Sequence, residues 1–303
     1  MANEAHGDIR AMSSEEHWKH FEKSWRALKT YTYLGKTTPF LDAGVERETM
    51  PLRHDMRNAS GGVMAAPLTI LSPEPWWRDD ECVPAPVTMT YDVLDPAYEV
   101  ERLEVLRDVI SVGRSMGFSR ARVVDAADHT RVIAISTGSG VSLGDVPPGF
   151  SPVDNPVDEL LDSADLPPLR EVFGIVRRGD GAAQIDKVTP MIASPHSALH
   201  QGAINVAIEA AMTDEFERVL PTAHLQVEHY TVMFVKPGYV GPFVATAAVV
   251  CPQGPRIGVE ATMVDEGSGG RVIATASATF GRVKAQAAGP AGRSVHPAAA
   301  STP

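Results

Sequence analysis

The sequence predicts an α+β protein built from one strand–helix–strands unit used twice, the copies facing each other as an internal pseudo-dimer. Three observations carry this. The stretch from His200 to Thr213 reads as a buried helix, because Ile204, Val206, Ala207, Ile208, Ala210, Ala211 and Met212 leave almost no polar face. Four strand-like runs follow it, which suggests an antiparallel sheet. Short segments also recur at one offset. Val124-Asp125 and Arg131-Val132-Ile133-Ala134 return 140 residues later as Val264-Asp265 and Arg271-Val272-Ile273-Ala274. At that offset Ser60-Gly61-Gly62-Val63 meets His200-Gln201-Gly202-Ala203, and Pro96 meets Pro237 at nearly the same one.

In chain order, residues 1–30 form an extension. Ser13-Ser14-Glu15-Glu16 resembles a helix start, and Trp18, Phe21, Trp25 and Leu28 recur at helical spacing. The first unit spans 31–145. It alternates weakly to Asp55, then carries a short apolar segment, Gly61–Leu71, in which Pro67 limits any helix to a short or kinked one. An irregular loop with Pro73, Pro75, Trp76 and Trp77 precedes strands at Val87–Leu94, Glu99–Arg114, Ser119–Val124 and Arg131–Thr137. Residues 146–168 hold six prolines and several Asp, a linker composition. The second unit spans 169–283, with strands near Val172–Val176 and Ala183–Val188 before the helix. Strands at Leu225–Val235, Phe243–Cys251, Ile257–Asp265 and Arg271–Phe280 come after it. Gly267–Gly270 is a hairpin turn, since no Lys-Ser/Thr and no helix follow it as a phosphate loop requires. The tail from 284 is Ala, Gly, Pro and Ser, a composition expected to be disordered.

The net charge of −11, with no basic run, excludes sequence-independent nucleic-acid binding. Cys82 and Cys251 are far apart and lack metal spacing, and the ten His show none either, so neither disulfide nor metal is expected. The polar N-terminus lacks the apolar core of a signal peptide. No stretch approaches the roughly 18 apolar residues of a membrane span, so a cytoplasmic protein is expected.

Inside the central helix, Glu209 and Thr213 are four residues apart and share a face; Gly202 lies about two turns back on it. A buried acid, a hydroxyl one turn on, and a glycine where backbone N–H groups lack partners are the parts of a site. There is no Gly-x-Ser-x-Gly elbow for a serine nucleophile.

With these residues in place the chain resembles the hotdog-fold acyl-CoA thioesterases, of the phenylacetate-pathway and hydroxybenzoyl-CoA type. Their motif is His-Gly-Gly with an Asp or Glu in the helix. His200-Gln201-Gly202 with Glu209 is similar to it, Gln201 standing for the first Gly. The resemblance covers both units and implies a double hotdog, two antiparallel sheets each wrapped round a central helix. It also implies sites between the halves, each taking its acid from one helix and its amide donors from the other half. One site would join Glu209 and Thr213 to the loop His54–Gly62. There Gly61 or Gly62 offers N–H groups, Ser60 replaces the motif His, and either Asn58 or His54 positions the thioester. Arg57 and Lys236, with Arg53, are candidates for the CoA phosphates. The other site, around Ser194, His196, His200, Gln201 and Gly202, meets Thr69 where an acid is needed and is degenerate. His200, at that helix start, either caps the helix or fills a gap.

The function implied is acyl-CoA hydrolysis with Glu209 as base or nucleophile. No cofactor is needed, since CoA is part of the substrate. The alternatives are a non-catalytic acyl-CoA binder or, less favoured, an enoyl-CoA hydratase or dehydratase. A homodimer of the pseudo-dimer is left open, and a bulky acyl group could be lined by Trp76 and Trp77.

Overall fold

Alternation of apolar and polar residues is written most clearly into Met116–Asp125 and Arg256–Asp265, whose side chains alternate between exposed and buried. This is the pattern of a strand with one face on a core and one in water. A computed structural model of the chain describes residues 27–37, 47–71, 82–113, 115–145, 160–194 and 197–283. The expected helix after Ser13, the loop with Trp76 and Trp77, His196 and the tail from 284 lie outside these residues.

Among the described residues eleven strands form one sheet. They are β1 (Arg47–Pro51), β2 (Cys82–Val93), β3 (Arg102–Val112), β4 (Met116–Asp125), β5 (Asp128–Asp145), β6 (Val176–Arg177), β7 (Ala183–Ile185), β8 (Leu225–Phe234), β9 (Phe243–Cys251), β10 (Arg256–Asp265) and β11 (Arg271–Arg282). Their order is β1-β3-β4-β5-β2-β8-β11-β10-β9-β7-β6, and every pairing is antiparallel. Apart from the two-residue β6, the order reads the same from either end. The middle is the β2–β8 seam, where Thr90 faces Thr231 and their hydroxyls lie 3.0 Å apart.

Helices are α1 (Lys29–Thr32), α2 (Ala65–Leu71), α3 (Leu169–Val172) and α4 (Gln201–Val219). α4 packs on β7, β9 and β10 and against α2. Its first twelve residues are buried apart from the partly exposed Gln201, as their apolar character requires. The strand expected at Val172–Val176 is instead the last residue of α3, a turn over Phe173-Gly174-Ile175 and the first residue of β6; so short an apolar run does not distinguish helix from strand. Pro67 does not break α2. It is the third helical residue, in the first turn, where a backbone N–H has no helical partner to lose.

The ladders carry two registers of correspondence. Val123 opposite Ala134 and Met263 opposite Ala274 are the same pair 140 residues apart, each followed by a bulge. The loops before α2 and α4 match at 136 instead. The isolated bridge Arg57–Val63 matches Ala193–Leu199. The Met64 N–H to Met56 carbonyl bond, 3.1 Å, likewise matches His200 to Ile192, 2.8 Å. Both helices then begin 136 apart, at Ala65 and Gln201. The match of Ser60-Gly61-Gly62 to His200-Gln201-Gly202 is therefore off by four residues. The structural counterparts of His200, Gln201 and Gly202 are Met64, Ala65 and Ala66.

Candidate active site

Glu209 projects from the middle of α4 and is only 5% exposed. Its carboxylate does not reach Gly61 or Gly62. It takes the first two amides of α2: Oε1 accepts from the Ala65 N–H and Oε2 from the Ala66 N–H, both at 2.7 Å. Pro67 has no N–H, so these two are the donors that the start of α2 presents. Burial pushes the Glu209 carboxyl up to about 7, against the pull of the Ala66 and Ala65 amides toward ionisation. An acid from one half of the sheet thus grips a helix start of the other.

Asn58 holds the loop that leads to these amides. Its Oδ1 accepts from the N–H groups of Ser60 (2.9 Å) and Gly62 (3.2 Å). Its Nδ2 donates to Gln226 Oε1 at 2.9 Å and to the Leu225 carbonyl at 3.3 Å. With the loops matched at 136, Asn58 stands six residues before Met64, the counterpart of His200.

The remaining sequence-predicted residues are placed as follows. Ser60 donates its hydroxyl to the Leu225 carbonyl at 2.6 Å. Gly61 has φ +82°, the left-handed turn the loop needs, and its N–H goes to the Asn58 carbonyl at 2.9 Å. His54 is exposed, and its main-chain N–H donates to Asp162 at 2.7 Å. Arg57 is not directed at a phosphate: its guanidinium donates to the carbonyls of Gly61, Ala97, Leu52 and Val100 and braces the loop from behind. Arg53 is spent on Asp55, with both bonds at 3.1 Å, and is 2% exposed. Lys236 is exposed beyond the end of β8. Thr213 is exposed too, and its hydroxyl bonds the main-chain carbonyl of Glu209 at 2.9 Å, not the carboxylate. A Thr in a helix readily satisfies its hydroxyl in this way.

In the other half His200 caps α4, its Nδ1 accepting from the Gly202 N–H at 3.1 Å. Burial, and secondarily the charge of Lys36, pushes its imidazole down to about 3, so it is neutral. Ser194 Oγ accepts from the Ala198 N–H at 3.2 Å, the counterpart of the Asn58–Gly62 bond. Thr69 bonds the Ala66 carbonyl at 2.7 Å within α2.

Sequence reading passed over three polar groups. Tyr230, 1% exposed, donates to Asn205 Oδ1 at 2.8 Å, and Asn205 donates to the Gln201 carbonyl at 2.9 Å. Burial first, and then the charge of Glu209, hold the Tyr230 hydroxyl well above its ordinary value. Asn205 was visible as an amide inside an otherwise apolar helix. Gln226, the third, carried no such mark. Among the described residues no cluster of His, Cys, Asp and Glu could hold a metal ion, and no helix is long and apolar enough to cross a membrane.

Solved structures share this architecture. The tesB protein of Mycobacterium avium subspecies paratuberculosis matches at TM-score 0.52 and 10% identity, over 83% of this chain and 96% of its own. The acyl-CoA thioesterase II TesB2 of Mycobacterium marinum matches at 0.52 and 13%, over 84% and 98%. A hot dog fold protein of unknown function from Alicyclobacillus acidocaldarius matches at 0.52 and 10%, over 84% and 98%. No protein-family model and no curated protein matches the chain. At these identities the likeness defines the fold: the protein has an α+β, hotdog-like fold.

Proposed function

We propose that the chain is a double hotdog, with units at 31–145 and 169–283, that hydrolyses an acyl-CoA thioester at one site between its halves. A single observation carries this: the buried Glu209 carboxylate of one half sits on the Ala65 and Ala66 N–H groups of the other. Hydrolysis needs a polarised carbonyl and an activated attacker. The two amides supply the first when the thioester oxygen takes them over, aided by the positive end of α2. Glu209, displaced from them, supplies the second. It takes a proton from water as the hydroxide oxygen bonds the carbonyl carbon. The tetrahedral oxyanion then collapses, the C–S bond breaks, and the proton on Glu209 passes to the departing CoA sulfur. Direct attack by Glu209, followed by hydrolysis of the anhydride, uses the same geometry. Neither route calls on a metal or cofactor. The likeness to an acyl-CoA thioesterase II supports the substrate class.

The second reading is a non-catalytic acyl-CoA binder. It is favoured by the fact that Glu209 itself occupies both amides. A panel of acyl-CoA thioesters with a thiol-detecting readout separates the two. Thiol release that Glu209→Gln abolishes supports the enzyme, whereas tight binding without release supports the binder.

A further inference from the structure

The loops before α2 and α4 share a backbone but not a packing. Gly61 and Ser197 are counterparts at 136, and both are left-handed, with φ of 82° and 60°. The next residue differs. A Cβ on Gly62 would lie 1.8 Å from Gln226 Oε1. Its counterpart is Ala198, which is buried with its Cβ in place. Gln226 sits at the start of β8 opposite Gly281, and the matching residue of β2, opposite Val141, is Ala85. On one side of the molecule, then, a long amide goes with a missing Cβ. On the other, the same two places hold alanines.

The Gln226 side chain is buried and used at both ends. Its Oε1 accepts from Asn58 Nδ2 at 2.9 Å, and its Nε2 donates to the Val63 carbonyl at 3.1 Å. Val63 lies two residues before Ala65. Beside it, the Leu225 carbonyl takes the Ser60 hydroxyl. β8 and α4 both belong to the second half, so that half grips the loop at two points. Glu209 holds its helical end and Gln226 its turn. No equivalent amide stands at the α4 loop, where the matching residue is Ala85.

We infer that Gln226 is a positioning residue of the Glu209 site: it fixes the loop 58–64 so that the Ala65 and Ala66 N–H groups face the Glu209 carboxylate, and Gly62 is a glycine to make room for it. This rests on reading Glu209 as the acid of the site. The test compares Gly62→Ala, Gln226→Ala and the double variant, which copies the Ala198 and Ala85 arrangement. Gly62→Ala alone drives a Cβ into the amide and lowers the unfolding midpoint, and the double variant recovers part of it, the Gln226 hydrogen bonds being lost. In the double variant hydrogen exchange at Ala65 and Ala66 accelerates about tenfold or more, and the Glu209 titration, followed by carboxyl carbon NMR, moves to higher pH. Its acyl-CoA turnover falls about tenfold in kcat with little change in KM, because aim and not binding is lost. Exchange and titration equal to wild type would overturn the proposal, and so would turnover recovering together with stability. A wild-type chain that releases no thiol from any acyl-CoA would overturn the functional reading instead, and the exchange and titration would still decide the role of Gln226.

Discussion

Glu209→Gln should abolish both a pH-dependent loss of stability and the activity. Glutamine removes the charge at every pH but keeps only one acceptor oxygen; its amide nitrogen donates, so one of the Ala65 and Ala66 N–H groups loses its acceptor, at about 1–3 kcal/mol. In the folded wild type the neutral acid persists up to about pH 7, whereas the ordinary value is 4.5. The sign follows from proton counts. Between pH 4.5 and 7 the folded state keeps a proton that the unfolded state has released, so this contribution to stability is full below 4.5 and is lost as pH rises through 7. At about 1.4 kcal/mol per pH unit the loss comes to roughly 3 kcal/mol. Relative to wild type, the variant should gain roughly 3 kcal/mol between pH 4 and pH 8, on top of a pH-independent loss from the unpaired N–H, while thiol release falls about a hundredfold or more. Urea unfolding of both proteins across pH 5 to 8, beside a thiol-release assay, measures each part. A stability difference that does not change with pH would refute the assignment of this buried charge. Full activity in the variant would refute its catalytic role.

Other outcomes follow from the same contacts. His200, with its imidazole down to about 3, works in the opposite sense: the unfolded state takes up a proton below 6.5 that the folded state refuses, so stability is lost as pH falls. In wild type the two slopes offset each other between about 4.5 and 6.5, and Glu209→Gln should expose a stability rising with pH there. His200→Ala removes that rise and costs about 1 kcal/mol at pH 8 through the lost helix cap, read by urea unfolding, without lowering turnover. Asn58→Ala leaves the Ser60 and Gly62 N–H groups without their acceptor. It should cost about 2–3 kcal/mol in the same unfolding assay and slow thiol release. Thr213→Ala should change stability by under about 0.5 kcal/mol and leave turnover nearly unaltered, since its exposed hydroxyl meets only its own helix.

Much of the fold was legible because burial imposes a period on the sequence. The runs that became β4 and β8 to β11 alternate or are bounded by Gly and Pro, and α4 is apolar nearly all round. Val172–Val176 was not legible, being too short to show any period. The site was read less well, and its errors share a cause. Gly61-Gly62 looks like the start of a helix motif, yet one glycine serves a left-handed turn and the other the space beside Gln226. The loop's identity lies in main-chain bonds such as Met64 to Met56, which leave no side-chain signature. Hence the four-residue slip, and hence two alanines, with nothing notable in their side chains, are the donors at Glu209. The helix holding Pro67 is short, seven residues, as the sequence led one to expect, though the place of Pro67 within it was not legible. A proline forbids a helix only beyond the first turn, and nothing in the residues alone tells where the first turn begins.

The β2–β8 seam bears on how the protein responds to dilution. The two sheet halves meet edge to edge there, through main-chain bonds and a threonine pair, and both edges belong to one polypeptide. Closing the seam is therefore an intramolecular event at an effective concentration set by the connection between the halves. A sheet joined this way between separate chains would come apart as the protein was diluted, because its folding would be coupled to association. Here the central joint, and the acid-to-amide contact beside it, should survive at any protein concentration.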